Sequence, residues 1–225
     1  MKRWILFLLA ASAVAGLFLF RYLDLGERIR VYFLTPPFGK NWQNEITKQK
    51  YLYTGTYDWV FLGDSHMEQC EWQELFSQKK VSNRGIGGET TNALLVRLDA
   101  AVKPGTQWVM LQIGINDLLS GRDTADILRD YQTILERLKS KKVKSVCTLP
   151  FYTRYRPEVE SEQTGMNLRM KEMIEKQGFI CLNLNPVFAP DHKMLLKFSS
   201  DGVHLNAEGY RIWADSLQAL AGKLP

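Results

Sequence analysis

The sequence predicts an α/β/α sandwich built on a five-stranded parallel sheet and preceded by a transmembrane helix. Two observations carry the sheet and one carries the membrane helix. From residue 58 onward, five short apolar runs alternate with stretches of helical spacing, the pattern of a parallel sheet covered on both faces. Right-handed crossovers then place the C-terminal ends of all five strands on one sheet edge, where polar clusters follow several of the runs. Ahead of that region, Lys2-Arg3 precede an uncharged, mostly apolar stretch from Trp4 to Phe20, closed by Arg21.

As a helix that stretch spans about 26 Å, near the lower limit for a bilayer core. Ala11-Ser12-Ala13 has the small-residue pattern of a signal-peptide cleavage site. The apolar run continues past it through Gly16-Leu17-Phe18-Leu19-Phe20, which favours an uncleaved signal-anchor over residues 1–22. Cations flank both ends, so the positive-inside rule only weakly favours a cytoplasmic N-terminus. The remainder is then expected to be periplasmic or otherwise extracytoplasmic. Residues 23–57 read as a juxtamembrane connector: Pro36-Pro37 and Gly39 break any helix, while Asn41 to Lys50 suits a short one. Its aromatics, among them Trp42, Tyr51, Tyr53 and Tyr57, either pack on the following domain or rest at the bilayer interface.

The domain spans residues 58–225. Its strands are expected at Trp59–Leu62, Val81–Asn83, Trp108–Ile113, Val143–Leu149 and Phe179–Leu184. Between them, Glu71–Phe76 looks helical, and Thr91–Ala101 carries Leu94, Leu95 and Leu98 at helical spacing before Pro104-Gly105. Asp123 or Thr124 caps a helix whose Ile127, Leu128, Tyr131, Leu135 and Leu138 follow the 3.6 period. Leu168–Lys176 is helical, and a last helix begins at Asn206 with Ile212, Trp213, Leu217 and Leu220 on one side. The whole is a flavodoxin-like arrangement. Phe151 to Gln163, long and polar after a strand end, is a substrate-reading lid or, preferably, an ordinary surface loop.

Charge narrows the function. The net charge is +5, but residues 1–30 hold five cations and two anions, leaving the rest close to neutral. No concentrated basic face remains on the domain, which argues against nucleic acid. Cys70, Cys147 and Cys181 have no metal-like spacing, and Cys147 and Cys181 sit in strand-like runs as small hydrophobes. Neither zinc spacing, nor a G-x-x-x-x-G-K-[ST] loop, nor G-x-G-x-x-G, nor G-x-S-x-G is found, so no metal or cofactor is expected.

Four polar clusters are left. Gly63-Asp64-Ser65 follows the first strand, Asn83 to Thr91 the second, Gly114-Ile115-Asn116-Asp117 the third, and Asp201-Gly202-Val203-His204 precedes the last helix. Acyl transfer needs a hydroxyl, a base within reach, a partner that holds the base in one tautomer, and donors where the oxyanion forms. Ser65 at a strand-to-helix turn, His204 three residues after Asp201, the glycine loop and the Asn116 amide supply these parts. Asp64 suits a turn-tying role and Asp117 a structural cap. His66 diverges from the hydroxyl and fits a surface or supporting role, and His192 is read as loop.

At these clusters the chain resembles the SGNH (GDSL-type) hydrolase family, and Gly85-Ile86-Gly87-Gly88-Glu89-Thr90-Thr91 is especially similar to the catalytic subunits of platelet-activating-factor acetylhydrolase Ib. The resemblance covers roughly residues 58–220. It implies Ser65 as nucleophile, Asp201 and His204 as the rest of a triad, and an oxyanion hole of the Ser65 N–H, the Gly88 N–H and the Asn116 amide. Gly87 competes with Gly88 for that role; the Glu89-Thr90 that follows favours Gly88. The expected activity is hydrolysis of a short-chain ester, acetyl being one candidate, of a lipid or carbohydrate through an acyl-enzyme. An O-acyltransferase with the same triad and a tethered glycan- or partner-binding scaffold are the alternatives.

Overall fold

The structure, a computed structural model, describes residues 42–53 and 55–221. The signal-anchor expected over residues 1–22 and most of the connector lie outside them. Among the described residues, no helix is long and apolar enough to cross a membrane.

The connector helix α1 (Trp42–Tyr51) leads to β1 (Trp59–Gly63), then the short helices α2 (Ser65–Glu68) and α3 (Trp72–Leu75) and strand β2 (Val81–Gly85). Helix α4 (Thr91–Ala101), β3 (Trp108–Gln112), α5 (Ile115–Leu119), α6 (Thr124–Ser140) and β4 (Lys144–Thr148) follow. A 3-10 turn (Pro157–Val159), α7 (Glu160–Lys176), β5 (Ile180–Leu182), α8 (Asn185–Phe188), a second 3-10 turn (Leu196–Phe198) and α9 (Ala207–Ala221) complete the order. The five strands are parallel in the order β2-β1-β3-β4-β5.

The inner strands β1 and β3 read as apolar runs because both sheet faces are covered there. Alternate side chains go to opposite layers. Val60, Leu62, Val109, Leu111 and Cys147 join the core with α4, α6 and α7, while Trp59, Phe61, Met110 and Val146 join the core with α3, α8 and α9. Helix α6 buries one stripe, from Ile127 to Leu138, and Asp123 is its cap, accepting the Ala125 N–H at 2.7 Å. Opposite it, Trp213 of α9 packs on Phe151 and donates to Thr148 Oγ1 at 3.1 Å.

Close approach at the strand ends demands glycine. A Cβ on Gly63 would lie 1.8 Å from the Gln112 carbonyl oxygen, and its φ of +148° is one that side-chain-bearing residues rarely adopt.

Helix α7 starts eight residues earlier than its apolar spacing predicts. Pro157 opens the preceding 3-10 turn, and Glu160 and Glu162 favour the positive end of the helix. The segment before it is no ordinary surface loop over its first half. Phe151, Tyr152 and Thr153 are buried, and Gln163 reaches back from α7 to donate to the Phe151 carbonyl at 2.9 Å.

Helix α1 is tied to the sandwich by a buried polar contact. Gln49 Oε1 accepts from Arg97 Nη1 at 2.8 Å, and Arg97 holds the Glu89 carboxylate through Nε at 2.5 Å and through Nη2. All three side chains are almost wholly buried. Arg97→Ala deletes the cation from this pair and is expected to lower the unfolding free energy by about 3–5 kcal/mol. Urea denaturation measures it; a loss inside the range of an exposed pair, under about 1 kcal/mol, would contradict the buried reading.

Candidate active site

Strand β1 delivers Gly63-Asp64-Ser65 into the first turn of α2. Asp64 Oδ1 accepts the His66 N–H at 3.0 Å and caps that turn from a wholly buried position. The cap leaves Ser65, half-buried, as the first helical residue. From the far end of the chain comes Asp201-Gly202-Val203-His204, just before α9. Ser65 Oγ lies 3.0 Å from His204 Nε2, and His204 Nδ1 lies 2.7 Å from Asp201 Oδ2. The other Asp201 oxygen accepts the N–H groups of Val203 and His204 at 2.8 and 2.7 Å.

That geometry settles the proton inventory. Burial alone would raise the Asp201 carboxyl, but the bonds from the His204 ring and from the His204 and Val203 amides outweigh it and hold it at about 2. An ionised carboxylate only accepts, so Nδ1 carries the imidazole hydrogen and Nε2 offers its lone pair to the hydroxyl. The row can therefore take a proton from Ser65 and stabilise the cation that results.

Two other clusters meet it from β2 and β3. Gly88 is buried with φ at +75°, a conformation open to glycine and costly for most other residues. Asn116 donates Nδ2 to the Glu89 carbonyl at 3.0 Å, tying the glycine turn to the end of β3, and keeps a second amide hydrogen. No acceptor among the described residues takes the Ser65 or Gly88 N–H.

Asp117 is drawn elsewhere. Its buried carboxylate accepts the Thr91 N–H at 3.0 Å and the Thr91 hydroxyl at 2.7 Å, and pairs with Arg122. It thus caps α4 across the sheet edge rather than its own segment. Burial pushes this carboxyl above the usual range, against the pull of Thr91 and Arg122.

His66, read from sequence as a surface or supporting residue, is 1% exposed and lies beside the row. Nothing local announces this, because the groups that cover it, Phe151 and Val203, come from distant segments. His192 sits in a turn, stacked on Tyr152 with ring centroids 4.3 Å apart. A cavity of about 370 Å³ beyond β4 and β5 is lined by Tyr152, Asn167, Leu168, Pro186 and His192, not by the Ser65–His204 row. Among the described residues no group of three or more His, Cys, Asp or Glu is placed to hold a metal ion. Burial raises the Cys70 thiol to about 12, which leaves it a poor nucleophile.

A parallel five-stranded sandwich with a Ser–His–Asp row on its C-terminal edge belongs to the class of SGNH-type α/β hydrolases. The GDSL-like Lipase/Acylhydrolase family matches residues 61–212, and the chain belongs to that family of esterase-type hydrolases. Among solved structures, the fold resembles a Streptococcus pneumoniae protein provisionally described as a platelet activating factor, with 20% identity, TM-score 0.72, and coverage of 88% of this chain and 98% of that one. A GDSL-like lipase from Bacteroides thetaiotaomicron is similar at 22% identity and TM-score 0.69, covering 82% and 98% of the two chains. An acetylxylan esterase from Geobacillus stearothermophilus gives 18% identity and TM-score 0.58, covering 72% and 93%. Among curated sequences, N-acylneuraminate cytidylyltransferases of Streptococcus agalactiae are 24% identical over 169 residues, 72% of this chain. The chain spans about 40% of the length of those relatives.

The Asp201 carboxyl, depressed from 3.8 to about 2, contributes stability above 3.8 that is lost only as pH falls towards 2. Because Asp201 stays ionised down to about 2 and accepts from the His204 ring, Asp201→Asn is expected to slow fluorophosphonate labelling of Ser65, while near-UV circular dichroism still reports the folded state. Wild-type labelling by the asparagine variant, or a loss that coincides with unfolding, would contradict the assignment.

Proposed function

We propose that the protein is a membrane-tethered serine esterase that removes short acyl groups, acetyl above all, from a carbohydrate. The observation that carries this reading is the continuous row of hydrogen bonds from Ser65 Oγ through His204 to Asp201. In the proposed reaction His204 Nε2 takes the hydroxyl proton as Ser65 Oγ attacks the ester carbonyl. The Ser65 N–H, the Gly88 N–H and the second Asn116 amide hydrogen receive the oxyanion. His204 then gives its proton to the leaving alkoxide, and water, deprotonated by the same nitrogen, releases the acid from the acyl-serine.

A short acyl group is supported by the openness of the rim. Asp201 is half-exposed, and the side chains around it and the glycine turn are polar, with Arg154 against Gly202, Glu68 against Gly87 and Asn116 bonded to Glu89, whereas a long chain needs an apolar channel. A sugar alcohol is supported by Tyr155, 62% exposed, which packs against Gly202 next to Asp201 and offers a ring for stacking. The acetylxylan esterase similarity and the sugar in the curated relatives' name point the same way. The tether is read from the apolar stretch Trp4 to Phe20.

Ser65→Ala and His204→Ala are each expected to abolish p-nitrophenyl acetate turnover without altering the circular dichroism spectrum. Asn116→Ala should lower kcat by about 10²–10³, the usual loss for one oxyanion donor; a rate near wild type would remove Asn116 from the mechanism. Tyr155→Ala should raise KM for an acetylated oligosaccharide while leaving p-nitrophenyl acetate kinetics unchanged. Equal effects on both substrates would argue against a sugar-stacking role.

A further inference from the structure

The residues flanking the row are joined by a second contact. His66 follows Ser65 and Val203 precedes His204, and His66 Nε2 lies 2.9 Å from the Val203 carbonyl oxygen across 137 residues of sequence. A carbonyl cannot donate, so Nε2 carries the hydrogen. The His66 ring is enclosed: its edge meets Phe151 at 5.3 Å between centroids, and it lies tilted against the His204 ring at 5.5 Å. Its Nδ1 is 3.4 Å from the buried Asp64 carboxylate, and its own carbonyl accepts the Tyr210 hydroxyl at 3.0 Å. Packed against Phe151 and the His204 ring, the His66 ring points its donor at the backbone of the histidine segment.

We propose that His66 is a positioning residue, whose Nε2–H holds the Val203 carbonyl and thereby sets the distance between the Ser65 hydroxyl and the His204 imidazole. The inference rests on reading Ser65 and His204 as nucleophile and base. The other ties on the histidine segment are local or run to the stretch after β4. Ser199 Oγ donates to the His204 carbonyl at 2.6 Å, and the Arg154 N–H to the Gly202 carbonyl at 2.8 Å. Those bonds shape the segment; the His66 bond fastens it to the serine turn itself. An apolar side chain of similar size would fill the space but leave the Val203 carbonyl, in a half-buried position, without this donor.

The test compares His66→Leu, His66→Gln and Ser65→Ala in the full chain with p-nitrophenyl acetate. His66→Leu should lower kcat roughly tenfold to hundredfold, as a displacement of about 1 Å does, with KM unchanged. His66→Gln, which can donate from a similar reach, should restore most of the rate. Wild-type kcat in the leucine variant, or a glutamine variant as slow as leucine, would overturn the positioning role. Continued turnover by Ser65→Ala would instead sink the underlying assignment of the nucleophile. Should His66→Leu fail to fold, the ¹H–¹⁵N imidazole spectrum of the wild-type protein decides: an Nε2–H tautomer at His66 is expected, and an Nδ1–H tautomer overturns the inference.

Discussion

The hydrogen bond between the Ser65 hydroxyl and the His204 imidazole spans 139 residues of sequence, and the rim of the sheet is arranged around it. Only a parallel sheet with same-handed crossovers brings the end of β1 and the segment before α9 to one edge. The bond needs its two ends held to within a few tenths of an ångström. Asp64 supplies that on the serine side by capping α2, and the paired amide bonds to Asp201 supply it on the histidine side. Little side-chain freedom is left to be lost when a substrate arrives, which is what preorganisation means in physical terms.

Buried charge does similar work one layer further out. Glu89 follows the Gly88 turn, and its carboxylate is gripped by Arg97 while its carbonyl accepts from Asn116. Asp117 follows Asn116 and is gripped by Thr91 and Arg122. Ion pairs of this kind are poor sources of net stability because desolvation offsets most of the attraction. Their value here is directional: each fixes the backbone next to Gly88 or Asn116, the two proposed oxyanion donors beside Ser65. Gln49 extends the first network to α1, so the connector helix touches the scaffold of the glycine turn.

Much of the fold is legible in local sequence. The short runs mark all five strands, with ends displaced by a residue or two; they are most apolar in the inner strands β1 and β3 and least in the edge strand β2, where Asn83 is exposed. Helix α4 appears over the expected residues, and Asp123 rather than Thr124 caps α6. Where local reading falls short, the deciding force is distant. Phe151 to Thr153 look like polar loop but are buried, Phe151 against Trp213 of α9 and Phe188 of α8. Asp117 looks like a cap for its own short helix but serves α4 instead.

The sequence by itself determined the parallel sandwich, the four polar clusters and the residues Ser65, Gly88, Asn116, Asp201 and His204 as candidates, since hydrophobic period and short motifs are encoded by near neighbours. Only the tertiary structure decided that His66 turns inward onto Val203, that Gln49 meets Arg97 and that Tyr155 stands exposed beside Asp201. Each of these is a relation between segments dozens of residues apart. A side chain's burial and partners are properties of the packed chain, and no local pattern contains them.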